Sequence, residues 1–291
     1  MNLNPINYSN DVPEIVALLR TSLSDNHTTE NFMWKHYDNP FGKSYGLLAR
    51  DKNIIVGARM FMFWEFRKAN RVLRAIRPVD TITHPEYRGK GIFKKLTLQG
   101  LDDCKGEYDF VFNTPNINSF PGYIKMGWNK YDKDLNFKIA LTFNLKRKGS
   151  IKLLEQKEFD LQNINLASPD FRTNFSGNYL RWRYLDKLYK VAKFEKDSIQ
   201  VLLFYKLEKI KGVKTLIIQD ILGDYQMHKS AVTALANYIN VYIVFYLNTP
   251  LLNLNFYISK KRHNSIVVVK GDKEKIPASL SFSAGDLDGR L

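Results

Sequence analysis

Residues 79–93 constrain the fold of this chain more than any other part of its sequence. An apolar, β-branched run ends at a proline, and Gly89 and Gly91 then precede a helical pattern. Glycines at such a turn let backbone N–H groups converge on an anion, and the first helical turn adds the positive end of its dipole. The cations nearby are Arg88, Lys90, Lys94 and Lys95. The segment predicts a strand–turn–helix unit that can hold phosphates; the alternative is an ordinary connection with a solvated basic face.

The residues around this segment predict an alternation of helices and strands. Helical spacing of apolar residues predicts helices over 10–23, 28–37 and 88–105. Apolar and aromatic runs bounded by turn residues predict strands over 45–50, 54–66, 72–83 and 110–113. The expected order by residue 126 is two helices, three strands, a helix, a strand and a helix.

The second half of the sequence resembles the first. Residues 31–37, NFMWKHY, are echoed by residues 178–184, NYLRWRY, and each is followed by apolar strand patterns. Asp80 and Asp220 stand at comparable points of the two halves. Such long-period similarity favours a duplicated fold, with domains at 1–148 and 149–291; chance pairing in an aromatic-rich chain is the alternative.

Composition limits the function classes. The formal net charge of +15 favours a polyanionic partner: nucleic acid, an anionic membrane, coenzyme A or a nucleotide sugar. Cys104 is the only cysteine, which excludes an internal disulfide and a thiolate-rich zinc site. The histidines have no metal-ligand spacing, so no metal is expected. The most apolar stretch, 241–252, is too short to span a bilayer, so no membrane span and a cytoplasmic location are expected.

Two motifs carry a resemblance to a known family. Residues 88–93 resemble the acetyl-coenzyme A signature of the GNAT superfamily, Arg/Gln-x-x-Gly-x-Gly/Ala: Arg88 and Gly91 match, whereas Phe93 replaces the usual small residue. Downstream, residues 116–128 resemble the family's Asn-x-x-Ala-x-x-x-Tyr-x-x-x-Gly-Phe. The positions matched there, two of them by a related residue, are Asn116, Ser119, Tyr123, Gly127 and Trp128.

The resemblance implies an α+β fold: a GNAT fold with a mixed, splayed central sheet, followed by a second, degenerate GNAT-like domain. It implies acetyl-CoA as the acyl donor, with its pantetheine arm inserted between two diverging strands. The residues expected to bind it are Ile82, Thr83, Arg88, Gly89, Lys90, Gly91, Ile92, Phe93, Asn116, Ser119 and Tyr123.

Acyl transfer to an amine needs a neutral amine, a donor for the developing oxyanion and a proton for the departing thiolate. The resemblance places Tyr123 as the proton donor and a backbone N–H near residues 81–83 as the oxyanion donor. Asp80 is the candidate general base. Glu65, His84 or no dedicated base are alternatives, and Asp80 is equally expected as a structural carboxylate paired with Arg77 or Arg74.

The second half lacks the phosphate-binding turn. Residues 221–228 contain no arginine-plus-glycine pair, and Asp224 would repel phosphate. The second domain is therefore expected to complete the acceptor pocket, as the tandem arrangement of the enhanced-intracellular-survival type acetyltransferases implies. The predicted activity is N-acyl transfer, with acetyl as the expected acyl group, to a small amine acceptor such as an amino sugar or a nucleotide-linked amino sugar. A Fem-like transferase using aminoacyl-tRNA and a non-catalytic binding module are the alternatives; nucleic acid is otherwise not an expected partner, because the sequence has no RNA-binding motif.

Overall fold

A computed structural model describes the chain except for residues 23–24, 132–134, 144–148, 156–157, 250–251, 253, 257, 273 and 288–291. The elements of the first part of the chain are β1 (Asn2–Pro5), α1 (Val12–Ser22), α2 (Thr29–His36), β2 (Tyr45–Asp51), β3 (Ile54–Lys68), β4 (Arg71–Thr83), α3 (Ile92–Asp103), β5 (Phe110–Asn113), α4 (Phe120–Lys125) and β6 (Asn129–Lys130). A single 3-10 turn, Pro85–Tyr87, lies between β4 and α3.

The later elements are β7 (Asn136–Leu141), β8 (Ser150–Leu154), β9 (Arg172–Thr173), α5 (Gly177–Arg183), β10 (Tyr189–Lys196), β11 (Ile199–Ile210), β12 (Val213–Gly223), α6 (Tyr225–Tyr238), β13 (Ile243–Asn248), β14 (Ser259–Asn264), β15 (Val268–Gly271) and α7 (Ala284–Leu287). No helix in the described part of the chain is long and apolar enough to cross a membrane.

The order of elements expected up to residue 126 is present, with β1 added in front. The predicted strands agree with β2 to β5 within two residues, and the side chain of Thr28 caps α2 by accepting a hydrogen bond from Asn31 N at 3.1 Å. The main difference is α3, which begins four residues later than predicted. Gly89 and Gly91 have φ values of +79° and +74°, which an α-helix cannot contain.

The chain divides into two compact units. The first consists of residues 1–66, 71–131 and 266–278, and the second of residues 67–70, 132–265 and 279–291. The division differs from a single boundary at 148, because β7 belongs to the second unit and β15 to the first. The chain therefore passes from one unit to the other more than once.

Each unit has its own mixed sheet. The strand order is β1–β2–β3–β4–β5–β15–β6 in the first and β14–β7–β13–β12–β11–β10–β8 in the second. In the first sheet, β15 lies between β5 and β6; in the second, β7 lies between β13 and β14. Each unit thus receives one interior strand from a remote part of the sequence.

The central strands of the first unit diverge as predicted. β4 and β5 pair in parallel through Ala75–Phe110 and Ile76–Val111, although β4 continues to Thr83. Pro78 has no N–H to donate, and Asp80 has a φ of +43°, the local irregularity of a bulge. The predicted mixed, splayed sheet is therefore confirmed.

The two units repeat one another in detail. In the second unit, β12 and β13 pair in parallel from Thr215–Ile243 to Ile217–Phe245. Asp80 stands five residues after the first paired residue of β4, and Asp220 five residues after that of β12. Asp80 contacts His36 of α2, and Asp220 contacts Tyr184, which directly follows α5. In the alignment of residues 31–37 with 178–184, His36 corresponds to Arg183, so these two contacts are offset by one position. The matching strand order of the two sheets and the similar placement of the two carboxylates favour an internal duplication.

Candidate active site

The turn between β4 and α3 leaves backbone donors without a side-chain partner. Gly91 is the N-cap of α3 in the left-handed conformation, so no side chain accepts from the first-turn N–H groups, and that turn contains no acid. A Cβ on Gly89 or Gly91 would meet no atom within 4 Å, so glycine is required there by φ rather than by crowding. Uncapped N–H groups and the positive end of the helix dipole favour an anion at this position.

Four cations surround the turn, as the sequence predicted. Arg88, Lys90, Lys94 and Lys95 are exposed, and none forms an ion pair within the described ranges of the chain. Lys90 Nζ lies 4.3 Å from the centre of the Tyr87 ring. Unpaired, exposed cations around uncapped N–H groups are suited to a multiply charged phosphate group.

Phe93 turns toward the core. Its ring meets that of Tyr123 edge to face, with 5.7 Å between ring centres, and the guanidinium of Arg59 lies 4.9 Å from the Phe93 ring centre. The bulky residue at the third position of the motif therefore packs against the interior. It forms one wall of an aromatic enclosure around Arg59, with Phe61 and Tyr123 as the others.

Arg59 is a fully buried cation. Its Nη2 donates to the Tyr123 hydroxyl at 2.7 Å, and this is the only hydrogen bond of its guanidinium in the part of the chain that the structure describes. Nε and Nη1 are buried without a hydrogen-bond partner. Burying a charge without a carboxylate partner is costly. Because the surroundings of Arg59 are apolar and exclude water, its positive charge acts strongly on the groups beside it.

Tyr123 lies on α4 and its side chain is buried, with 3% of its surface exposed. Its hydroxyl oxygen accepts hydrogen bonds from Arg59 and from the Asn113 amide at the end of β5. Because both lone pairs of the oxygen accept hydrogen bonds, the hydroxyl still has its own proton to donate to a further group. Trp128 packs on the other side of the ring at 4.9 Å between centres.

Asp80 is paired with α2 rather than with an arginine. Its carboxylate accepts from Lys35 Nζ at 2.8 Å and from His36 Nε2 at 2.7 Å, whereas Arg77 donates to Thr114 Oγ1 at 3.0 Å. Burial opposes ionisation, but the charge of Lys35 and the hydrogen bond from His36 outweigh it, so the pKa of the Asp80 carboxyl is well below its usual range. The expected pairing with Arg77 or Arg74 is therefore replaced by one with Lys35 and His36.

These contacts weaken the case for Asp80 as a general base. A carboxylate held between two donors with a lowered pKa is a poor proton acceptor. A carboxylate only accepts, so His36 carries its proton on Nε2, and its Nδ1, 3.0 Å from Ser44 Oγ, accepts from that hydroxyl. The geometry favours the structural alternative, in which Asp80 fixes α2 against the bulge of β4.

The remaining predicted residues lie at the end of β4, at the start of α3 and in the turn before α4. Ile82 and Thr83 end β4, and Ile92 opens α3. Asn116 Oδ1 accepts from the N–H groups of Asn118 and Ser119 at 3.0 and 2.9 Å. Asn116 therefore shapes the turn that leads into α4, and this turn presents Tyr123.

Several residues of this centre were not predicted. A signal for Arg59 is present, because it is the one charged residue in the apolar run from Ile54 to Trp64. Nothing in the local sequence marks Asn113, Lys35 or His36, whose partners are 10 to 45 residues away. Among the described residues, no cluster of three or more His, Cys, Asp or Glu side chains could hold a metal ion.

Comparison with known proteins agrees with this geometry. Residues 5–131 match the family model described as an acetyltransferase (GNAT) domain. The structure is similar to that of a probable N-acyltransferase from Enterococcus faecalis V583, with a TM-score of 0.70, 15% identity, and coverage of 92% of this chain and 71% of that one. A comparison with curated proteins finds no match.

Two further solved structures share the fold. A GCN5-related N-acetyltransferase from Anabaena variabilis has a TM-score of 0.70 at 11% identity, covering 92% of this chain and 72% of that one. Eis1 from Mycobacterium abscessus has a TM-score of 0.63 at 11% identity, covering 91% and 72%. At these identities the likeness shows a shared fold over both units. The domain match agrees with the family that the two motifs predicted, and it identifies residues 5–131 as an acetyltransferase (GNAT) domain.

Proposed function

We propose that the chain transfers an acyl group, in the first instance acetyl, from coenzyme A directly to the primary amine of a small acceptor. One observation carries the proposal: the uncapped, cation-ringed start of α3 lies directly beyond β4, where β4 has separated from β5 and the Tyr123 hydroxyl is bonded to the last residue of β5. On this proposal, the phosphate site, the crevice for the pantetheine arm and the proton donor belong to one continuous part of the first unit.

The first-turn N–H groups of α3 and the side chain of Arg88 would bind the diphosphate. The backbone of Ile82 and Thr83 would pair with the amides of the pantetheine arm, as an added strand pairs with a sheet edge. That edge of β4 is available because its pairing with β5 stops at Ile76–Val111. The residues present therefore fit the elongated, anionic donor that the family uses.

In the reaction, the amine nitrogen attacks the thioester carbonyl carbon, a C–N bond forms and the C–S bond breaks. The thiolate takes the phenolic proton of Tyr123, and the phenolate left behind is stabilised by Arg59 and Asn113, which already donate to that oxygen. The acceptor's surplus proton leaves to solvent, and the phenolate takes a proton back from solvent, which restores Tyr123 for the next turnover. Asp80 supports the site by holding α2. A backbone N–H near Thr81–Thr83 would serve the oxyanion.

Thermal unfolding with and without acetyl-CoA tests the binding site. A ligand at 100 times its Kd stabilises by about 2.7 kcal/mol, which corresponds to a rise in Tm on the order of 5 to 10 °C. Arg88→Ala should reduce that rise. Arg74→Ala, which removes an exposed arginine at the other end of β4, should retain it. No shift of the wild-type Tm at saturating acetyl-CoA would remove the proposal.

Release of free coenzyme A thiol with a panel of amines tests the chemistry. Tyr123→Phe should lower kcat by about 100-fold or more with little change in acetyl-CoA binding; full activity of this variant would exclude the proton-donor role. Amino sugars are the acceptors to examine first, and the nucleotide-linked ones above all, because the net charge of +15 favours an acceptor that bears phosphate. Salt-dependent binding of aminoacyl-tRNA, with no acetyl-CoA binding, would instead support the Fem-like alternative. A cytoplasmic location stays a prediction.

A further inference from the structure

The second unit retains a crevice at the position equivalent to that of the first. The pairing of β12 with β13 ends at Ile217–Phe245. Beyond it, Gln219, Ile221 and Leu247 line a small pocket of about 50 Å3. The other walls come from the first turns of α6 and from residues around β9 and α7. Divergence of the two central strands is therefore a feature of both units.

This second pocket is unsuited to coenzyme A. Asp224 caps α6, with its Oδ1 accepting from Gln226 N at 2.8 Å, so the N–H groups that would face a phosphate have a carboxylate partner. A negative charge at this helix start repels a second anion. The turn also lacks the pair of left-handed glycines found in the first unit, since among residues 219–226 only Gly223 has a positive φ.

Buried polar groups in this pocket have unmet hydrogen-bonding capacity. Gln219 is 5% exposed and its Oε1 has no hydrogen-bond partner; His228 is 4% exposed and its Nδ1 has none either. His228 Nε2 lies 3.3 Å from the Gly223 carbonyl oxygen, which can only accept, so Nε2 carries the proton and Nδ1 is an acceptor. Burial lowers the pKa of His228 to about 4, so the ring is neutral at pH 7.

Arg172 supplies an uncompensated positive charge. It is 9% exposed and stacks over Phe175 at 5.4 Å. Among the described residues its side chain makes one hydrogen bond, from Nη2 to the Leu166 carbonyl oxygen at 2.8 Å. It forms no ion pair within the described part of the chain. Its remaining N–H donors are thus available to a ligand in the pocket that it lines.

The two carboxylates of the pocket do not neutralise Arg172. Asp286 Oδ1 accepts from Thr173 Oγ1 at 2.5 Å and its Oδ2 accepts from Ser283 N at 2.8 Å, so both oxygens already have partners. Asp220 accepts from the Tyr184 hydroxyl. Burial, together with the charge of Asp286, raises the pKa of Asp220 and so disfavours its charged form.

We propose that this pocket is a second ligand site, which binds a small carboxylate carrying a hydrogen-bond donor next to the acid group: an α-hydroxy or α-amino acid. The carboxylate pairs with the guanidinium of Arg172, and the adjacent O–H or N–H donates to His228 Nδ1 or Gln219 Oε1. A short apolar side chain of the ligand packs against Leu247 and Leu252, which line the pocket. The site is distinct from the acyl-transfer centre and does not depend on the proposed reaction.

Isothermal titration of the full chain with four compounds of matched size tests this proposal. Lactate and alanine have both the acid and the donor, propionate lacks the donor, and lactamide lacks the charge. We expect lactate or alanine to bind, propionate to bind at least 10-fold more weakly, and lactamide not to bind. Equal binding of lactate and propionate, or no binding by any of the four, would overturn the proposal and leave a pocket filled by water.

Variants assign the binding to this pocket. Arg172→Met should abolish lactate binding, whereas Arg181→Met, which changes an exposed arginine of the same unit outside the pocket, should not. If Arg172→Met fails to fold, His228→Leu serves instead: it should reduce the preference for lactate over propionate to less than 3-fold. Unchanged lactate binding in the folded variants would place the ligand elsewhere and refute the proposal.

Discussion

The contact between Arg59 and Tyr123 leads to a measurable coupling between two buried side chains. Tyr123→Phe removes the only hydrogen bond of the Arg59 guanidinium within the described chain, and a hydrogen bond to a charged group contributes about 1.5 to 3 kcal/mol. The same change also leaves the Asn113 amide without its hydroxyl acceptor, at about 1 kcal/mol. In a wild-type background, Tyr123→Phe should therefore lower the free energy of unfolding by about 2.5 to 4 kcal/mol.

In an Arg59→Met background the first contribution no longer exists. Tyr123→Phe should then cost about 1 kcal/mol, so the coupling between the two positions is about 2 kcal/mol. The assay is urea unfolding of the wild type, both single variants and the double variant, followed by tryptophan fluorescence and by circular dichroism. Trp128 lies 4.9 Å from the Tyr123 ring and reports on this region.

Tyr108→Phe is the matched control for this cycle. The Tyr108 hydroxyl donates to the Leu101 carbonyl oxygen at 3.2 Å, in the same unit but apart from Arg59. Its effect should add to that of Arg59→Met within about 0.5 kcal/mol. If the effects of Arg59→Met and Tyr123→Phe were also additive within that margin, Arg59 would not be bonded to Tyr123 and its role in stabilising the phenolate would fail.

Three further changes have defined outcomes. Gly91→Ala places a side chain at a φ of +74° with nothing to clash against, so it should cost about 1 to 2 kcal/mol of stability and weaken acetyl-CoA binding; an unchanged Kd by titration would contradict an anion site at this turn. Asp80→Asn should cost about 3 to 5 kcal/mol at pH 7. Because the pKa of Asp80 is lowered in the fold, its contribution to the free energy of unfolding is present above pH ~4 and is lost on acidification. The difference in the free energy of urea unfolding between Asp80→Asn and wild type should therefore narrow below pH ~4 and not above it. The pKa of His228 is lowered to about 4 from about 6.5, so wild type should lose up to about 3 kcal/mol between pH 6.5 and 4 that His228→Leu does not lose; parallel pH curves would refute the buried, neutral state of this ring.

Local signals predicted the first unit well. Caps, turns and apolar periodicity are encoded over a few residues, which is why α2 and β2 to β5 lie close to where the sequence placed them. The start of α3 was misplaced because the helical spacing of its apolar residues extends over two glycines whose positive φ only the structure reveals. The motif residues around Gly91 and Tyr123 were identified for the same reason, as neighbours in sequence.

Long-range partners were out of reach of this reasoning. Asp80 could be placed on its strand, but its pairing with Lys35 and His36 depends on how α2 packs, 44 or 45 residues away. The β-branched run 266–269 marks β15 as a strand, but its position between β5 and β6 is set by pairing across more than 130 residues. A pattern-based boundary at 148 therefore could not anticipate which unit these strands complete.

The placement of β15 has a consequence for how the protein is made and handled. On the ribosome, the backbone groups of β5 that face β15 have no sheet partner until residues 268–271 have been synthesised, so the first unit cannot finish folding while it emerges. A fragment ending near residue 148 would lack β15 and would leave the buried strand Phe110–Asn113 as an open sheet edge. Exposed apolar edge strands pair with other chains, so we expect this fragment to aggregate. A shortened protein meant to isolate the first unit should instead join residues 266–278 to residue 131 through a designed linker.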